Sequence, residues 1–269
     1  MRFFWLADNT LSRQCRLVKS QDRQKVGFIV RVSVPIPTFN RPEYLERALK
    51  SVLAQTHTEW EALVIDDGDG RGLEAALAMS DPRIKPGRNG GKGQVDARNT
   101  ALRRATGDVI ALLDDDDLWE DSDHLALVVS VLQNGPALVH RHSFMVYEED
   151  GREVSREAFD LPTTASSLRE NNTVVASSLS YPRRLHDKLG LFDTGVGSYW
   201  DWDWILRVLD AGYPLHTVPT PGVRYTVHAG GASAVAAGSQ RLANFETFKR
   251  KHKLNITVKN HASLLEESF

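Results

Sequence analysis

The stretch Thr106–Trp119, TGDVIALLDDDDLW, runs an apolar segment straight into four consecutive aspartates, Asp114 to Asp117. The apolar segment reads as a buried strand. Four adjacent carboxylates repel one another, and without a cation or a solvated turn they cost stability. Two readings follow. In one, the run is a solvated turn and Asp117 starts a helix. In the other, the spacing Asp114-x-Asp116 presents two carboxylates to one hard divalent cation. Magnesium commonly takes one or two carboxylates, with substrate phosphates and waters completing its shell. The run by itself is compatible with both.

Working outward, Val26, Phe28, Val30, Val32 and Val34 alternate in VGFIVRVSV, which predicts a strand that Pro35 and Pro37 end. RPEYLERALKSVLAQT follows as a helix, with Pro42 at its start and Leu45, Ala48, Leu49, Val52 and Leu53 at helical spacing. EWEALVIDDGDGRG is a second strand stopped by a glycine-rich turn, followed by a short helix (Leu73 to Met79) and a weak strand (Arg83 to Lys85). In GQVDARNTALRRATG, Ala97, Ala101 and Ala105 form a helical stripe that Gly107 caps. DVIALL is the strand before the aspartates, and DHLALVVSVLQ is another helix. Strands alternating with helices predict an α/β fold: a mostly parallel central sheet flanked by helices. Such sheets bind ligands beyond the carboxyl ends of their strands. Three strands end there in polar residues: Thr38-Phe39-Asn40, Asp66-Asp67 and the four aspartates. That convergence favours a ligand site over a solvated turn.

Beyond Gly135 the pattern changes. PALVHRHSFMVY and NTVVASSLSYP read as strands, RRLHDKLG as a helix and FDTGVGSYWDWD as a glycine-containing loop. Trp202, Ile205, Leu206 and Leu209 keep helical spacing to Gly212, and the tail from Gly238 reads as an amphipathic helix. A chain of 269 residues buries a sizeable core. Its net charge of −2 gives no electrostatic case for nucleic acid. The basic run KRKHK, Lys249 to Lys253, reads as a solvated helix end, with a weak membrane-surface contact as the alternative. Cys15 is the sole cysteine, so no intrachain disulfide forms and a reducing compartment suits the chain. MRFFWLADNT lacks the h-region of a signal peptide, and the longest apolar run, Leu125 to Leu132, is too short to span a bilayer. These features predict a soluble, cytoplasmic protein without a transmembrane segment.

Several glycine-rich decoys fail on spacing. GRNGGKG has Pro86 where a phosphate loop needs its first glycine, and Gly93 where Ser or Thr should follow Lys92. GKGQVD puts Asp96, and GDGRGL puts Leu73, at the third glycine of a dinucleotide fingerprint. A calcium loop from Asp114 would need an acid or amide at Leu118 and glycine at Trp119.

PTFNRPEYLERALKSVLAQT, LVIDDG, DARNTALRRATGDVIALLDDDDLW and LGLFDTG…DWDWILRVLDAG, in that order, resemble glycosyltransferase family 2 over roughly Val32 to His228. The resemblance implies a GT-A fold and an inverting, metal-dependent transferase, using Mn2+ or Mg2+ and a nucleoside-diphosphate sugar, with UDP favoured, to modify an acceptor hydroxyl. By the same resemblance Asp114 and Asp116 are the family's metal-associated Asp-x-Asp pair, and His228 in VRYTVHAGG lies near the metal or diphosphate. Thr38, Asn40, Arg41, Asp66, Asp67, Arg98, Asp114 and Asp115 then make up the nucleotide-sugar site. The single domain, residues 1–269, divides into an N-terminal extension (1–25), a nucleotide-sugar-binding half (26–135), an acceptor-binding half (136–228) and a C-terminal tail (229–269). Simpler roles compete with several of these. Asn40 suits a cap for the helix at Pro42, Arg98 a surface cation, Asp67 the start of a turn, and His228 a loop residue beside glycines.

In WDWDW, Trp200 to Trp204, counting back from Arg207 aligns Asp201 with the family's catalytic base. Asp201 also suits an N-cap, and Asp203 a first-turn acid favoured by the helix dipole. Trp202 falls on the apolar stripe, whereas Trp200, standing where family members carry glutamate, is placed to stack on a sugar. Other departures are Asp69 after DDG and the doubled proline of VPIPT, which threatens to kink the first strand. Two rivals remain. A sugar nucleotidyltransferase would show a glycine-rich, basic N-terminal loop, which PIPTFNRPEY is not. A sugar-nucleotide binder without turnover finds its one argument in Trp200.

Overall fold

A computed structural model describes residues 30–90, 92–231, 238–257 and 259–266. The expectations for residues 1–25, for Cys15 and for the Val26–Phe28 part of the first strand lie outside the described residues. In chain order the elements are β1 (Val32–Thr38), α1 (Pro42–Leu53), β2 (Trp60–Asp66), α2 (Arg71–Ala78), β3 (Gly87–Arg88), α3 (Gln94–Arg104), β4 (Val109–Ala111), β5 (Leu118–Trp119) and α4 (His124–Leu132). They continue with β6 (Leu138–Glu149), β7 (Arg152–Phe159), β8 (Leu179–Pro182), α5 (Leu185–Leu189), α6 (Trp200–Asp210), β9 (Leu215–Val227), α7 (Ser239–His252) and α8 (His261–Glu266).

The strands form one mixed sheet in the order β3-β2-β1-β4-β8-β6-β9-β5, with β7 added on β6. β3, β2, β1 and β4 are parallel. Antiparallel pairing enters where β8 joins β4. Helices cover both faces, and β4 shows why its sequence is a continuous apolar run. Val109, Ala111 and Leu113 pack into a core with α1 and α4, while Ile110 and Leu112 face a second core built with α3, α5, α6 and α7. α1 forms as its spacing requires, with Pro42 in the first turn and Leu45, Ala48, Leu49 and Val52 buried. Among the described residues no helix is long and apolar enough to cross a membrane.

Four expectations need correction. β1 does not end at Pro35 and is not broken by the doubled proline: it pairs with β2 from Val32 to Thr38. Val32 N and Thr38 O bond toward β2, whereas Pro35 O accepts from Leu113, beyond β4. Alternation therefore turns the nitrogens of Pro35 and Pro37 toward β4, whose pairing with β1 stops at Ser33↔Ile110. Gly107 is not the cap of α3, which ends at Ala105 in an extended conformation. A Cβ on Gly107 would lie 2.6 Å from Ser33 N and 2.8 Å from Arg31 O, so glycine is needed where the chain passes against β1. Asp117 starts no helix: β5 follows it, and α4 begins only at His124. NTVVASSLSYP is a strand only from Leu179.

Candidate active site

The polar ends of β1 and β4 and the loop after β2 open on a cavity of about 660 Å³. Thr38, Arg41, Asp67, Arg98, Asp114, Asp115, Asp116 and His228 all line it. Eight of the sequence-derived residues are thus brought together from five separate stretches of chain. The acidic run is not solvated, since Asp115 and Asp117 are buried. Cations relieve it instead. Arg41 bonds both Asp115 and Asp116, and Arg98 bonds Asp114. His228 Nε2 lies 3.2 Å from Asp116 Oδ2, and the imidazole stacks on Tyr44 with ring centres 4.5 Å apart.

Charge states follow from this packing. Burial works to raise the Asp116 carboxyl, but the bond to His228 and the charge of Arg41 outweigh it and hold the group below the usual range. Burial, reinforced by Asp116, pushes Asp115 up. Burial, then the charges of Asp116 and Asp114, lifts Asp117 well above the usual range. Asp117 accepts from Ser177 Oγ at 2.5 Å and from Thr226 N at 2.9 Å, which ties the acidic turn to β9. Asp114, Asp116 and Asp117 can each direct one oxygen into a cluster whose members all lie within 4.8 Å of one another. That donor set is hard and anionic, as magnesium or manganese prefers, so the residues fit a divalent cation.

Two expected nucleotide contacts lie outside the cavity wall. Asp66 accepts from Gly68 N at 2.7 Å and Leu73 N at 3.0 Å, fastening the loop into α2. Asn40 neither lines the cavity nor caps α1. It takes the left-handed region (φ 55°), and its Oδ1 accepts from Asp69 N at 2.8 Å, joining the loops after β1 and β2. Asp67 reaches the cavity while accepting from Asn89 Nδ2 (2.6 Å), Lys92 N (2.9 Å) and Gly93 N (2.8 Å), so it also shapes the loop before α3.

Asp201 lies in an adjoining recess of about 140 Å³ that shares Asp114 and Gln94 with the larger cavity. It is not an N-cap, because α6 starts at Trp200 after Tyr199. Burial pushes its carboxyl up to about 6, against a counteracting bond from Asn172 Nδ2 at 3.0 Å. Asp203 is quite different. It is fully buried, bonded by Arg207 Nε at 2.9 Å, His252 Nε2 at 2.8 Å and Lys251 Nζ at 2.7 Å. Lys251 and His252 of KRKHK are therefore spent on an internal anchor, and the run is not simply a solvated helix end. Trp200 is no open sugar platform: it is 3% exposed, edge-on to Phe192, with the Arg98 guanidinium 4.2 Å from its ring centre. It holds Arg98, itself buried, against Asp114. Sequence reasoning missed Tyr44, Asn172 and Ser177. Tyr44 alone had a local signal, lying one helical turn after Arg41.

A family model described as glycosyl transferase family 2 matches residues 33–189. The uncharacterized glycosyltransferase YwdF of Bacillus subtilis (strain 168) is 32% identical over 245 residues, 88% of this chain and 90% of its own. Among solved structures, TarS from S. aureus in complex with UDP-GlcNAc matches with a TM-score of 0.66 at 17% identity, over 82% of this chain and 66% of that one. The mannosyltransferase PcManGT from Pyrobaculum calidifontis, in complex with GDP-Man and Mn2+, matches with a TM-score of 0.64 at 22% identity, over 84% and 65%. The chain thus spans just under two thirds of these two solved proteins. Both are GT-A transferases, and this chain has their fold. Motifs, fold and relatives agree: the chain is a sugar-transferring enzyme belonging to glycosyl transferase family 2.

Proposed function

We propose that the enzyme transfers a sugar from a nucleoside-diphosphate donor, UDP-linked by preference, to an acceptor hydroxyl with inversion, and that it requires a divalent cation. One observation carries the reading: the acidic cavity and the recess of Asp201 meet at Asp114 and Gln94. A diphosphate in the first and a hydroxyl in the second would face each other across a single anomeric carbon. TarS with UDP-GlcNAc and PcManGT with GDP-Man and Mn2+ support the donor class and the metal. A single cysteine in 269 residues supports a cytoplasmic setting.

Asp114 and Asp116 would hold the cation, which as a Lewis acid would neutralise charge building on the departing diphosphate. Arg41 and Arg98, already on the same carboxylates, add fixed positive charge beside it. In the recess, Asp201 takes the proton of the acceptor hydroxyl. The acceptor oxygen bonds to the anomeric carbon as the bond from that carbon to the diphosphate oxygen breaks. Attack from the face opposite the leaving group inverts the configuration. A carboxyl raised to about 6 is ionised at neutral pH and still basic enough to accept the proton. The test is calorimetric titration of UDP and GDP, with manganese or with chelator, into wild type and Asp116→Ala. Metal-dependent binding that Asp116→Ala abolishes is expected. Equal affinities in all combinations would remove the metal from the reading.

A further inference from the structure

The connection from β7 to β8 is fastened along α6. Leu168 and Val174 are buried in the core to which α6 contributes Trp202, Ile205 and Leu206. Leu168 O accepts from Trp202 Nε1 at 2.6 Å, and Arg169 pairs with Asp210 at the far end of the helix. The same connection brings Asn172 to the recess, where its Nδ2 lies 3.0 Å from Asp201 Oδ2. Which way round the amide sits follows from its other end. Asn172 Oδ1 accepts from Val174 N at 3.2 Å, and a backbone N–H can only donate. The NH2 group therefore faces Asp201, and turning the amide over would break both bonds. The His261 ring bonds the backbone of Asn172 as well. Among the described residues no other side chain donates to the Asp201 carboxylate.

We propose that Asn172 is the positioning residue of the base: its amide pins one oxygen of the Asp201 carboxylate, favours the ionised form and leaves the other oxygen to take the acceptor proton. This rests on the proposed role of Asp201 and adds the group that orients it. A neutral donor suits the task. Burial drives the carboxyl toward protonation, and a protonated base accepts nothing. A cation in place of Asn172 would correct that too far, holding the carboxylate ionised but stripping its basicity. A single amide bond opposes the burial without abolishing its effect.

The measurement is a carbon-13 NMR titration of the aspartate carboxyl groups in the full-length protein, the Asp201 signal being assigned by its absence from Asp201→Asn. Asn172→Ala removes the donor. Asn172→Asp removes it too but keeps an oxygen for Val174 N, so it preserves the local turn and serves if Asn172→Ala folds poorly by circular dichroism. Asn172→Ala should raise the Asp201 midpoint by about 1–2 pH units, the range of a hydrogen bond to a charged group. Asn172→Asp should raise it further, since it sets a second carboxylate against the first. The other charged or titratable groups around Asp201 are Arg98, Asp114, Tyr199, Tyr225, Arg241, Lys259 and His261. All are common to wild type and both variants, so the difference in midpoint reads the bond from Asn172. UDP with manganese, titrated by calorimetry, should bind both variants as it binds wild type, because Asn172 lines the recess and not the donor cavity. An unchanged midpoint in both variants would overturn the inference. So would loss of UDP binding in variants that fold, which would make Asn172 a general brace of the site. Raised midpoints with Asp201→Asn still transferring sugar would remove Asp201 as the base while leaving the hold of Asn172 on its carboxylate in place.

Discussion

Asp201 and Asp203 stand two residues apart on α6 and face opposite worlds, one an open recess and the other a closed ion cluster. Asp201→Asn keeps the shape and the bond to Asn172 yet cannot take a proton. It should bind donor like wild type and lose transfer by about 10²–10⁴-fold, measured as sugar transfer to the acceptor. Wild-type kcat/KM should fall about tenfold per pH unit below about 6, where Asp201 becomes protonated. The stability sign is the reverse of the usual carboxylate. Because the folded value is raised, the charged form opposes folding above about 6, and the penalty vanishes below the unfolded value near 3.8. Asp201→Asn should thus melt no lower than wild type at pH 8 in a calorimetric scan. The eight cavity residues named from sequence come from contiguous motifs, which is why they were legible. Asn172 was not, because it reaches Asp201 across a fold contact that no local spacing announces.

Between elements, the cluster at Asp203 joins α6 to the end of α7 through Lys251 and His252. Leaving Lys251 and His252 without their buried acceptor by Asp203→Ala should cost about 1–3 kcal/mol, below the value for a fully enclosed pair because Lys251 is partly exposed. Chemical denaturation should show the loss, with transfer per folded molecule retained. Here the carboxyl is depressed by its partners despite burial, so its stabilisation is present above the ordinary value near 3.8 and disappears as pH falls through the lower folded one. Gly107→Ala should cost a further 1–3 kcal/mol in the same assay, about the usual penalty for forcing atoms into a filled space. Helices α1, α3, α4 and α7 were readable from apolar spacing, and β2 and β4 from apolar runs beside turns. β7 and β9 were not. β7 is exposed along nearly its whole length, and β9 carries Pro219, Pro221 and Gly222 at the point where its register with β6 shifts. β7 owes its strand character to pairing with β6, and β9 to pairing with β6 and β5.

On the scale of the molecule, donor and metal should act as one ligand. UDP with manganese, at a hundred times its dissociation constant, should add about 2.7 kcal/mol of stability, seen as a rise in Tm that chelator reverses. The parallel half of the sheet was legible because strand–helix alternation dictates it, whereas the order of β8, β6, β9 and β5 depends on pairings between distant segments. The two prolines of β1 have a consequence for how that sheet assembles. Their missing donors are harmless in one alignment only, the one that points them away from β2. A slip of β1 by a single residue would aim both at β2, deleting two rungs and turning Val32, Val34 and Ile36 out of their core. Pro35 and Pro37 therefore proofread the strand: the misaligned sheet is penalised twice, and the polar tip of β1 arrives at the cavity only in the correct frame.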